Sequence, residues 1–313
     1  MANLKNEMSR FQAQAIAKKS RKTYDQGQSS YIQFCSEFNL RPYPLEEQTL
    51  RLFCTYLARS VSHSTILTYL SSIRLQNIEQ GFAPAAEMPL LKMVLRGIKR
   101  EKGSRARPKR CPITLDLLRH LKHSLRSSQH PASDQLMLWA SFTTAFFGFL
   151  RASEFCSESQ SSFDHQKTLL VKDVEVTPEA VIINLKSSKT DQFRTGNKVR
   201  LAPTGKSTCP FRALKNHLEN CSAQNKPLFT FVNQTYLTRK MFSKILKSLL
   251  PQSCNQQLYS SHSFRIGAAT CAADKNTPVW LIKALGRWSS DCYQEYIRVN
   301  PDLLDKIPAL LTS

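Results

Sequence analysis

The sequence lacks the features of secreted and membrane proteins. No apolar run approaches the roughly 20 residues that a membrane-spanning helix needs. The first residues, Met1 to Arg21, are polar and lack the apolar centre of a signal peptide. Nine cysteines are present, but no two form a C-x-x-C pair. An odd, dispersed set of this kind is typical of free thiols, so we expect a protein that stays inside the cell.

Recognisable cofactor and metal motifs are also missing. There is no G-x-x-x-x-G-K-[ST] loop and no G-x-G-x-x-G fingerprint, which argues against a nucleotide cofactor. His217 and Cys221 lie four residues apart with Cys209 upstream, but three weak ligands without a fourth do not predict zinc. The clustered carboxylates that two-metal nucleases need are scarce. We therefore predict neither a cofactor nor a metal.

Acidic residues are few relative to basic ones. The 313 residues include 44 Lys and Arg against 23 Asp and Glu, a formal net charge of +21. Such an excess predicts a polyanionic partner, and nucleic acid is the usual one. Hydrophobic residues make up 41% of the chain, which is enough for packed cores in two domains of ordinary size.

Residues 1–100 predict a helical domain. Apolar residues recur at helical spacing in four stretches, which prolines and glycines separate. In the fourth stretch an apolar stripe runs from Leu91 to Ile98, and the basic residues lie off it: Lys92, Arg96, Lys99 and Arg100. A helix that is buried on one side and basic on the other suits a bundle that faces phosphates. A merely solvated face explains the same pattern equally well.

Residues 101–112 predict a basic linker. The run KREKGSRARPKR (99–110) holds seven Lys or Arg in twelve residues and shows no apolar periodicity. Its charge suits a path along a DNA backbone or a nuclear localisation signal, and the two uses are compatible. The linker residues predicted to bind DNA are Lys102, Arg105, Arg107, Lys109 and Arg110.

Residues 113–313 predict a mostly helical domain with a small sheet. Thr114 is a plausible N-cap for the first helix, and a strongly apolar helix spans 136–150. Three β-branched runs, 169–176, 180–187 and 197–203, predict a three-stranded sheet. Further helices are expected at 211–221, 237–249, 261–274, 278–285 and 291–298, with a last apolar helix around Leu303 to Leu311.

Four short stretches of this second domain carry candidate chemistry: LRASE (150–154), SSKTD (187–191), HSFR (262–265) and LGRWSSDCYQEYIR (285–298). His262 and Arg265 are three residues apart, so on a helix they share a face and can address one ligand. Arg151 and Glu154 have the same spacing, so the carboxylate can orient a neighbouring group. Taken singly, each is more often a surface or core residue, and only their order along the chain points to a site.

In this order the stretches resemble the tyrosine recombinase (phage integrase) family, which carries an Arg, a hairpin Lys, an H-x-x-R pair, a His or Trp and a Tyr nucleophile. The resemblance covers residues from about 113 to 300 by motif and the N-terminal half by architecture only. The run RWSSDCYQEYIR looks most like recombinases of eukaryotic mobile elements, the DIRS-like and Crypton-like groups. The catalytic residues that the resemblance implies are Arg151, Lys189, His262, Arg265, Trp288 and Tyr296, with Glu154 in support.

Two features depart from the family pattern. Trp288 stands where many members have His, and Tyr296 follows it by eight residues, one fewer than in well-known members. Tyr293 therefore stays an alternative nucleophile, although the YIR context favours Tyr296. Lys186 stays an alternative to Lys189, which the K-T pair in a predicted hairpin turn favours.

The chemistry of phosphodiester cleavage suits these side chains. Negative charge builds on the non-bridging oxygens, and the guanidiniums of Arg151 and Arg265 can hold them with fixed forks of donors. Tyr296 would attack phosphorus in line and form a 3′-phosphotyrosyl link. The family assigns the proton for the departing 5′-oxygen to the hairpin Lys. His262 would move protons as an imidazole that titrates near neutrality, and Trp288 would donate its indole N–H.

The resemblance also implies an assembly. A helical core-binding (SAM-like) domain and the catalytic domain would form a C-shaped clamp around double-stranded DNA. The final helix would dock on a neighbouring protomer to give a tetramer on two DNA sites, although its apolar face fits packing within its own chain as well. We expect the nucleus in a eukaryote, and otherwise the cytoplasm or nucleoid.

Other functions stay open at this point. A type IB topoisomerase-like enzyme would relax DNA with the same residues. A domesticated, non-catalytic DNA-binding protein would have no need of the two arginines and the tyrosine. RNA binding would rest on charge alone, since the chain has no recognisable RNA module.

Overall fold

A computed structural model describes residues 1–84, 87–103, 108–186, 196–221 and 223–298, together with positions 305 and 308. The chain divides into two compact units, Met1–Arg107 and Pro108–Ser313. The division falls inside the basic run that the sequence predicts as a linker. Among the described helices, none has the length and apolar character needed to cross a membrane.

Unit 1 contains helices α1 (Ala2–Gln14), α2 (Lys18–Glu37), α3 (Glu47–Leu57), α4 (His63–Glu79) and α5 (Pro89–Lys102). The hydroxyl of Ser62 caps α4 by accepting from the backbone N–H of Thr65. The predicted apolar stripes meet in one core, in which the rings of Tyr31, Phe34 and Phe53 pack together. Unit 1 therefore has its own hydrophobic core.

Helix α5 has the two faces that its sequence predicts. Leu91 is buried in the core of unit 1, and Val94, Leu95 and Ile98 pack against it. The basic side chains of the other face are exposed: Lys92, Arg96, Lys99 and Arg100. This helix therefore presents a basic surface, which DNA contact requires.

Unit 2 consists of helices around a small sheet. Its helices are α6 (Leu115–Arg126), α7 (Ala132–Phe147), α8 (Ala152–Phe155), α9 (Pro210–Leu218), α10 (Arg239–Leu249), α11 (His262–Asp274) and α12 (Val279–Gly286). Its 3-10 turns are Val171–Asp173, Gln256–Leu258 and Asp291–Tyr296. The sheet is antiparallel in the order β1 (Val174–Val176), β2 (Val181–Leu185) and β3 (Asn197–Leu201), with Val181 opposite both Val176 and Leu201. The predicted fold class, helices with a small three-stranded sheet, is confirmed.

The first strand is shorter than the sequence predicts. The apolar run 169–176 predicts a strand throughout, but the residues before Val174 form a 3-10 turn. The carboxylate of Asp173 accepts from the backbone N–H of Leu170 at 2.7 Å. This side-chain bond competes with strand pairing and delays the start of β1.

The segment 291–298 is not the predicted helix. Asp291–Tyr296 is a 3-10 turn, and Ile297 is extended. The Thr270 hydroxyl donates to the carbonyl of Tyr296 (3.3 Å) and accepts from the backbone N–H of Arg298 (3.0 Å). These bonds occupy backbone groups that a continuing helix would use, so the helix ends. The final helix predicted around 303–311 lies outside the described residues except at positions 305 and 308.

Helix α11 lies between the core of unit 2 and its candidate site. On the core side, the rings of Phe142, Phe242 and Phe264 pack with centroids 5.2 or 5.3 Å apart. Gly267 lets the backbone at Ile113 approach α11, because a Cβ at Gly267 would overlap the Ile113 carbonyl. This packing fixes α11, which carries both His262 and Arg265.

Candidate active site

Two helix C-termini meet near α11. Helix α7 ends before Phe149 and helix α12 ends before Arg287, and both residues adopt left-handed backbone conformations (φ 51° and 53°). The last carbonyls of a helix have no intrahelical partners and lie at the negative end of its dipole. These carbonyls are therefore well suited to accept hydrogen bonds from cations.

Arg265 of α11 uses carbonyls from both helix ends. Its side chain has no exposed surface. Its two terminal nitrogens donate to the carbonyls of Phe149 and Gly286. Burial lowers the pKa of Arg265, and the neighbouring charge of Arg151 lowers it in the same direction while Glu154 opposes both. Backbone acceptors and helix ends thus compensate a guanidinium that no water reaches.

Glu154 joins two further arginines. Its carboxylate is 1% exposed and accepts from Nη1 of Arg151 at 3.0 Å and from Nη2 of Arg287 at 2.9 Å. Arg287 also donates to the carbonyls of Gly148 (3.3 Å) and Phe149 (3.2 Å). Three arginines, counting Arg265, therefore lie around one carboxylate. The site carries an excess of positive charge in a buried place, which favours an anionic ligand.

Aromatic rings cover these cations. The ring of Tyr296, which is half-buried, has its centroid 4.9 Å from that of His262 and 4.8 Å from that of Trp288. The Arg265 guanidinium carbon lies 4.3 Å from the Trp288 centroid and 5.5 Å from the Tyr296 centroid. Gly286 permits this stacking, because a Cβ there would overlap the Trp288 ring. The residues that the structure brings together are Arg151, Glu154, His262, Arg265, Trp288 and Tyr296.

His262 is less basic than the sequence predicts. Burial lowers its pKa to about 4, and the charges of Arg265, Arg151, Arg239 and Arg298 act in the same direction. The imidazole is therefore neutral at pH 7, whereas the sequence predicts titration near neutrality. A neutral imidazole can accept a proton from a phenol.

Donors without partners are concentrated in this site. Within the described residues, five buried side-chain N or O atoms lack a hydrogen-bond partner, and three of them are N–H groups of the site. These are Nε of Arg265, Nε of Arg287 and Nε1 of Trp288. A buried donor without an acceptor costs about 1–3 kcal/mol. Such a cluster is suited to the oxygens of an anion.

Arg265 differs from its predicted geometry. The sequence predicts that both arginines present open forks to a phosphate. The side chain of Arg151 keeps 13% exposure, whereas Arg265 is enclosed and its terminal nitrogens are engaged. The guanidinium of Arg265 packs against the rings of Trp288 and Tyr296 and has no exposed surface, so it is not an open fork in this structure.

The alternative residues are placed elsewhere. Tyr293 is buried, and its ring centroid is 6.5 Å from that of Trp288. The ammonium of Lys186 lies 2.7 Å from the carboxylate of Asp173 and also donates to two backbone carbonyls. Lys186 is therefore held in a structural ion pair. Lys189 lies outside the described residues, so its place in the site stays a prediction.

The predicted linker residues are only partly described. Lys102 is half-buried at the end of α5, and Lys109 and Arg110 are exposed. Arg110 donates to the carbonyl of Gln257 and so follows the surface of unit 2. Arg105 and Arg107 lie outside the described residues.

The weak metal-ligand set seen in the sequence is engaged in other contacts. Nε2 of His217 lies 2.7 Å from the carbonyl of Leu228 and 3.6 Å from Sγ of Cys221. Across the part of the chain that the structure describes, no three His, Cys, Asp or Glu side chains are grouped to hold a metal ion.

The sequence interpretation missed Arg287 and Thr270. A signal for Arg287 was present, because it stands inside LGRW. It lies nine residues before Tyr296, the interval expected from the family resemblance, whereas Trp288 lies only eight residues before it. No sequence signal points to Thr270. Its contacts with Tyr296 and Arg298 exist only once α11 and the last turn have packed together.

Comparison with known proteins gives a distant relative. No family model matches the chain. An integrase/recombinase xerD homolog from Selenomonas ruminantium is 25% identical over 285 residues, which cover 86% of this chain and 78% of that protein.

Several solved structures have a similar fold. The XerH site-specific recombinase bound to palindromic difH substrate, a post-cleavage complex, superposes with a TM-score of 0.60 at 16% identity, covering 93% of this chain and 80% of that one. A lambda integrase dimer bound to a COC′ core site gives 0.57 at 12% identity, with 94% of each chain covered. The Tn1549 transposon integrase with circular intermediate DNA gives 0.55 at 13% identity, covering 87% and 86%. At these identities the similarity establishes the fold.

Proposed function

We propose that this chain belongs to the tyrosine recombinase and integrase family and is a site-specific recombinase that cleaves and rejoins DNA strands. One observation carries the proposal: the half-buried phenol of Tyr296 lies against a neutral imidazole, His262, and a buried guanidinium, Arg265. A nucleophile, a base and a cation are thus gathered in one place. The relative and the solved structures with this fold are named as recombinases or integrases, which favours recombination over relaxation of supercoils or binding alone.

The proposed step exchanges one phosphodiester bond for another. The phenol oxygen of Tyr296 bonds to phosphorus, the bond from phosphorus to the 5′-oxygen breaks, and the 3′ end stays on the protein as a phosphotyrosyl link. The phenol proton passes to His262, which is neutral and free to accept it. We assign the proton for the departing 5′-oxygen to Lys189. Attack by a 5′-hydroxyl reverses the step and rejoins the strand.

The cations of the site would stabilise the transition state. Charge grows on the non-bridging oxygens, and fixed N–H donors lower its energy without reorganising. Arg151 offers a partly exposed guanidinium, while Nε of Arg265 and Nε1 of Trp288 are donors that still need acceptors. The negative phosphate would also raise the depressed pKa of His262, which helps the imidazole to hold the transferred proton.

The Tyr296→Phe variant tests this function. On a nicked suicide substrate the wild-type chain should form a covalent protein–DNA adduct, which denaturing electrophoresis resolves. The variant lacks the attacking oxygen but keeps the ring that packs on Trp288 and His262, so it should bind DNA and form no adduct. An adduct in the variant would move the nucleophile elsewhere.

Tyr293→Phe is the matched control. It removes the same hydroxyl from a tyrosine three residues earlier, which is buried with its ring centroid 6.5 Å from that of Trp288. We expect it to form the adduct as the wild type does. Loss of the adduct in this variant, with Tyr296→Phe still active, would assign the reaction to Tyr293.

The basic surface of α5 and the following residues is proposed to hold the DNA backbone. Support comes from the exposed Lys92, Arg96, Lys99 and Arg100 on α5, and separately from the exposed Lys109 and Arg110 in unit 2. The remaining members of this set are Lys102, Arg105 and Arg107. Each phosphate that these cations neutralise should add roughly 0.9 to the slope of log affinity against log salt. A salt response that is flat would exclude this surface from binding.

A tetramer on two DNA sites is the proposed assembly. The support is an apolar groove beside the last turn, formed by Pro278, Val279, Ile282 and Ile297, with Trp280 70% exposed nearby. The occupant that we propose is the apolar C-terminal segment of a second copy, whose leucines recur at helical spacing around 303–311. Light scattering on the DNA complex tests the assembly, and a mass of one copy per site without pairing of sites would contradict it.

A role in a eukaryotic mobile element of the DIRS-like or Crypton-like kind is proposed from the run RWSSDCYQEYIR. The nucleus is the matching location, and the basic run at 99–110 supports it as a localisation signal. A tagged chain that stays in the cytoplasm of eukaryotic cells would contradict the location. Excision of a marked element in cells that express the chain tests the role.

A further inference from the structure

Glu154 is shared between two arginines in an asymmetric way. Its Oε1 accepts from Nη1 of Arg151 at 3.0 Å. Its Oε2 accepts from Nη2 of Arg287 at 2.9 Å and from the backbone N–H of Arg151 at 2.8 Å. Since a carboxylate oxygen has two lone pairs, both acceptor positions of Oε2 are filled.

This sharing limits how Arg151 binds Glu154. An arginine and a carboxylate prefer a bidentate pair with two parallel N–H···O bonds. That arrangement needs both oxygens, and Arg287 occupies a place on one of them. In the described structure Arg151 accordingly makes one side-chain bond to Glu154, through Nη1 alone. The rest of its guanidinium fork is not committed to the carboxylate.

Arg287 is held firmly enough to impose this geometry. Its side chain is 10% exposed and reaches the carbonyls of Gly148 and Phe149 as well as Glu154. The Phe149 carbonyl also accepts from Arg265. Arg287 therefore shares one acceptor with Arg265 and another, Glu154, with Arg151. Its left-handed backbone costs about 1–2 kcal/mol for a residue with a side chain, and such strain persists only where surrounding contacts fix it.

We propose that Arg287 is a positioning residue, which keeps Arg151 on a single oxygen of Glu154 and so leaves the remaining Arg151 donors for the scissile phosphate. The proposal rests on the recombinase function above and adds a residue to it. Without Arg287, Oε2 regains a free acceptor position. Arg151 then closes onto Glu154 as a bidentate pair and turns its fork away from the DNA.

The test compares Arg287→Met in two backgrounds, the wild-type chain and Glu154→Gln. The rate constant for adduct formation is measured on saturating nicked substrate. In the wild-type background Arg287→Met should slow the reaction by roughly 10- to 100-fold, because a misplaced catalytic group has effects of this size. DNA affinity should fall by a smaller factor than the rate, since the exposed basic side chains of α5 are untouched and the Arg287 side chain is only 10% exposed.

In the Glu154→Gln background the same substitution should have little effect. A glutamine has one acceptor oxygen, so Arg151 cannot form the bidentate pair whether Arg287 is present or not. We expect a further change of less than about 3-fold. An equal loss in both backgrounds would overturn the proposal, because Arg287 would then act on the DNA or on the fold directly.

Further variants separate positioning from folding. The double variant Glu154→Gln with Arg287→Met removes both charges of one buried ion pair and is expected to fold even if the single Met variant does not. Arg287→Lys keeps one donor for Oε2 and should lose less activity than Arg287→Met; an equal or greater loss contradicts the proposal. Arg119→Met, which removes an exposed arginine paired with Asp116, is the control for charge and should react at the wild-type rate.

The outcome is distinguishable from failure of the recombinase function. If the wild-type chain forms no adduct, the proposed function fails. If the wild-type adduct forms and Tyr296→Phe abolishes it, but Arg287→Met reacts normally, only the positioning role fails. Thermal unfolding of each variant shows whether a slow reaction reflects lost folded protein.

Discussion

The two sides of helix α11 are both buried, yet one side is apolar and the other is charged. Phe264 and Arg265 are adjacent in the chain, and neither has exposed surface. Phe264 packs on Phe142 and Phe242 in an apolar core, whereas Arg265 lies against Trp288 and backbone carbonyls. One helix therefore separates a region that stabilises unit 2 from a region that holds charge.

The two sides also differ in whether their polar and charged groups have partners within the protein. The core side gains free energy from apolar area removed from water and needs no ligand. The site side has three unpaired N–H donors and three arginines around one carboxylate. Leaving donors unpaired lowers stability, but it readies them for the charge that develops in a transition state. Stability and activity should accordingly respond to different substitutions.

The largest expected effect on stability is on the core side. Phe142→Ala should lower the free energy of unfolding of unit 2 by about 3–5 kcal/mol, because it leaves a cavity between two other rings. Urea unfolding followed by tryptophan fluorescence reports unit 2, since the three tryptophans (139, 280 and 288) all lie there. Adduct formation per folded molecule should fall far less than when Arg265 is replaced, because Phe142 packs on the core side of α11 and not in the site. Val232→Ala, at an exposed position of unit 2, is the control and should change stability by at most about 0.5 kcal/mol.

The corresponding change on the site side is Arg265→Lys. A lysine cannot reach both helix ends at once, and a point charge does not reproduce a fork of donors. We expect the rate of adduct formation to fall by about 100- to 1,000-fold, as when one fixed donor is removed from a catalytic site. Cleavage at a near-normal rate would show that Arg265 does not act in the reaction. Arg265 would then be a structural residue of α11, as Phe264 is.

A smaller effect should appear in the pH dependence of stability. Burial holds the pKa of His262 at about 4, below the value of about 6.5 in the unfolded chain. Between these values the unfolded state binds more protons, so the contribution of His262 is complete above pH 6.5 and is lost as the pH falls towards 4. The loss should be at most about 3 kcal/mol, and His262→Gln should remove it.

His217 sharpens this comparison because it is a buried histidine on the core side. Burial also lowers its pKa, and the Leu228 carbonyl opposes the shift. Bound DNA should reduce the acid sensitivity that comes from His262, because phosphate favours the charged imidazole. Bound DNA should not change the acid sensitivity that comes from His217. The His217→Gln variant identifies that contribution by removing it. Equal responses of the two histidines to DNA would mean that phosphate does not approach His262.

Sequence patterns were most reliable where local periodicity sets the structure. The apolar stripe of α5 and the three β-branched runs each predicted an element that the structure contains, with ends that shift by a few residues. The pattern failed at 291–298, where apolar residues at helical spacing form a 3-10 turn. At the end of this turn the hydroxyl of Thr270 bonds to the backbone of Tyr296 and Arg298, which a continuing helix would use.

The sequence by itself determined the fold class, because hydrophobic periodicity marks the helices and the small sheet. It predicted the class of chemistry from the order of an Arg, an H-x-x-R pair and a Tyr. Only the tertiary structure decided how those groups stand towards each other. It enclosed Arg265 between two helix ends, made His262 neutral, and placed Arg287 on Glu154. The reason is physical: pKa, burial and hydrogen-bond partners depend on neighbours in space, which are set by packing between elements that are far apart in the chain.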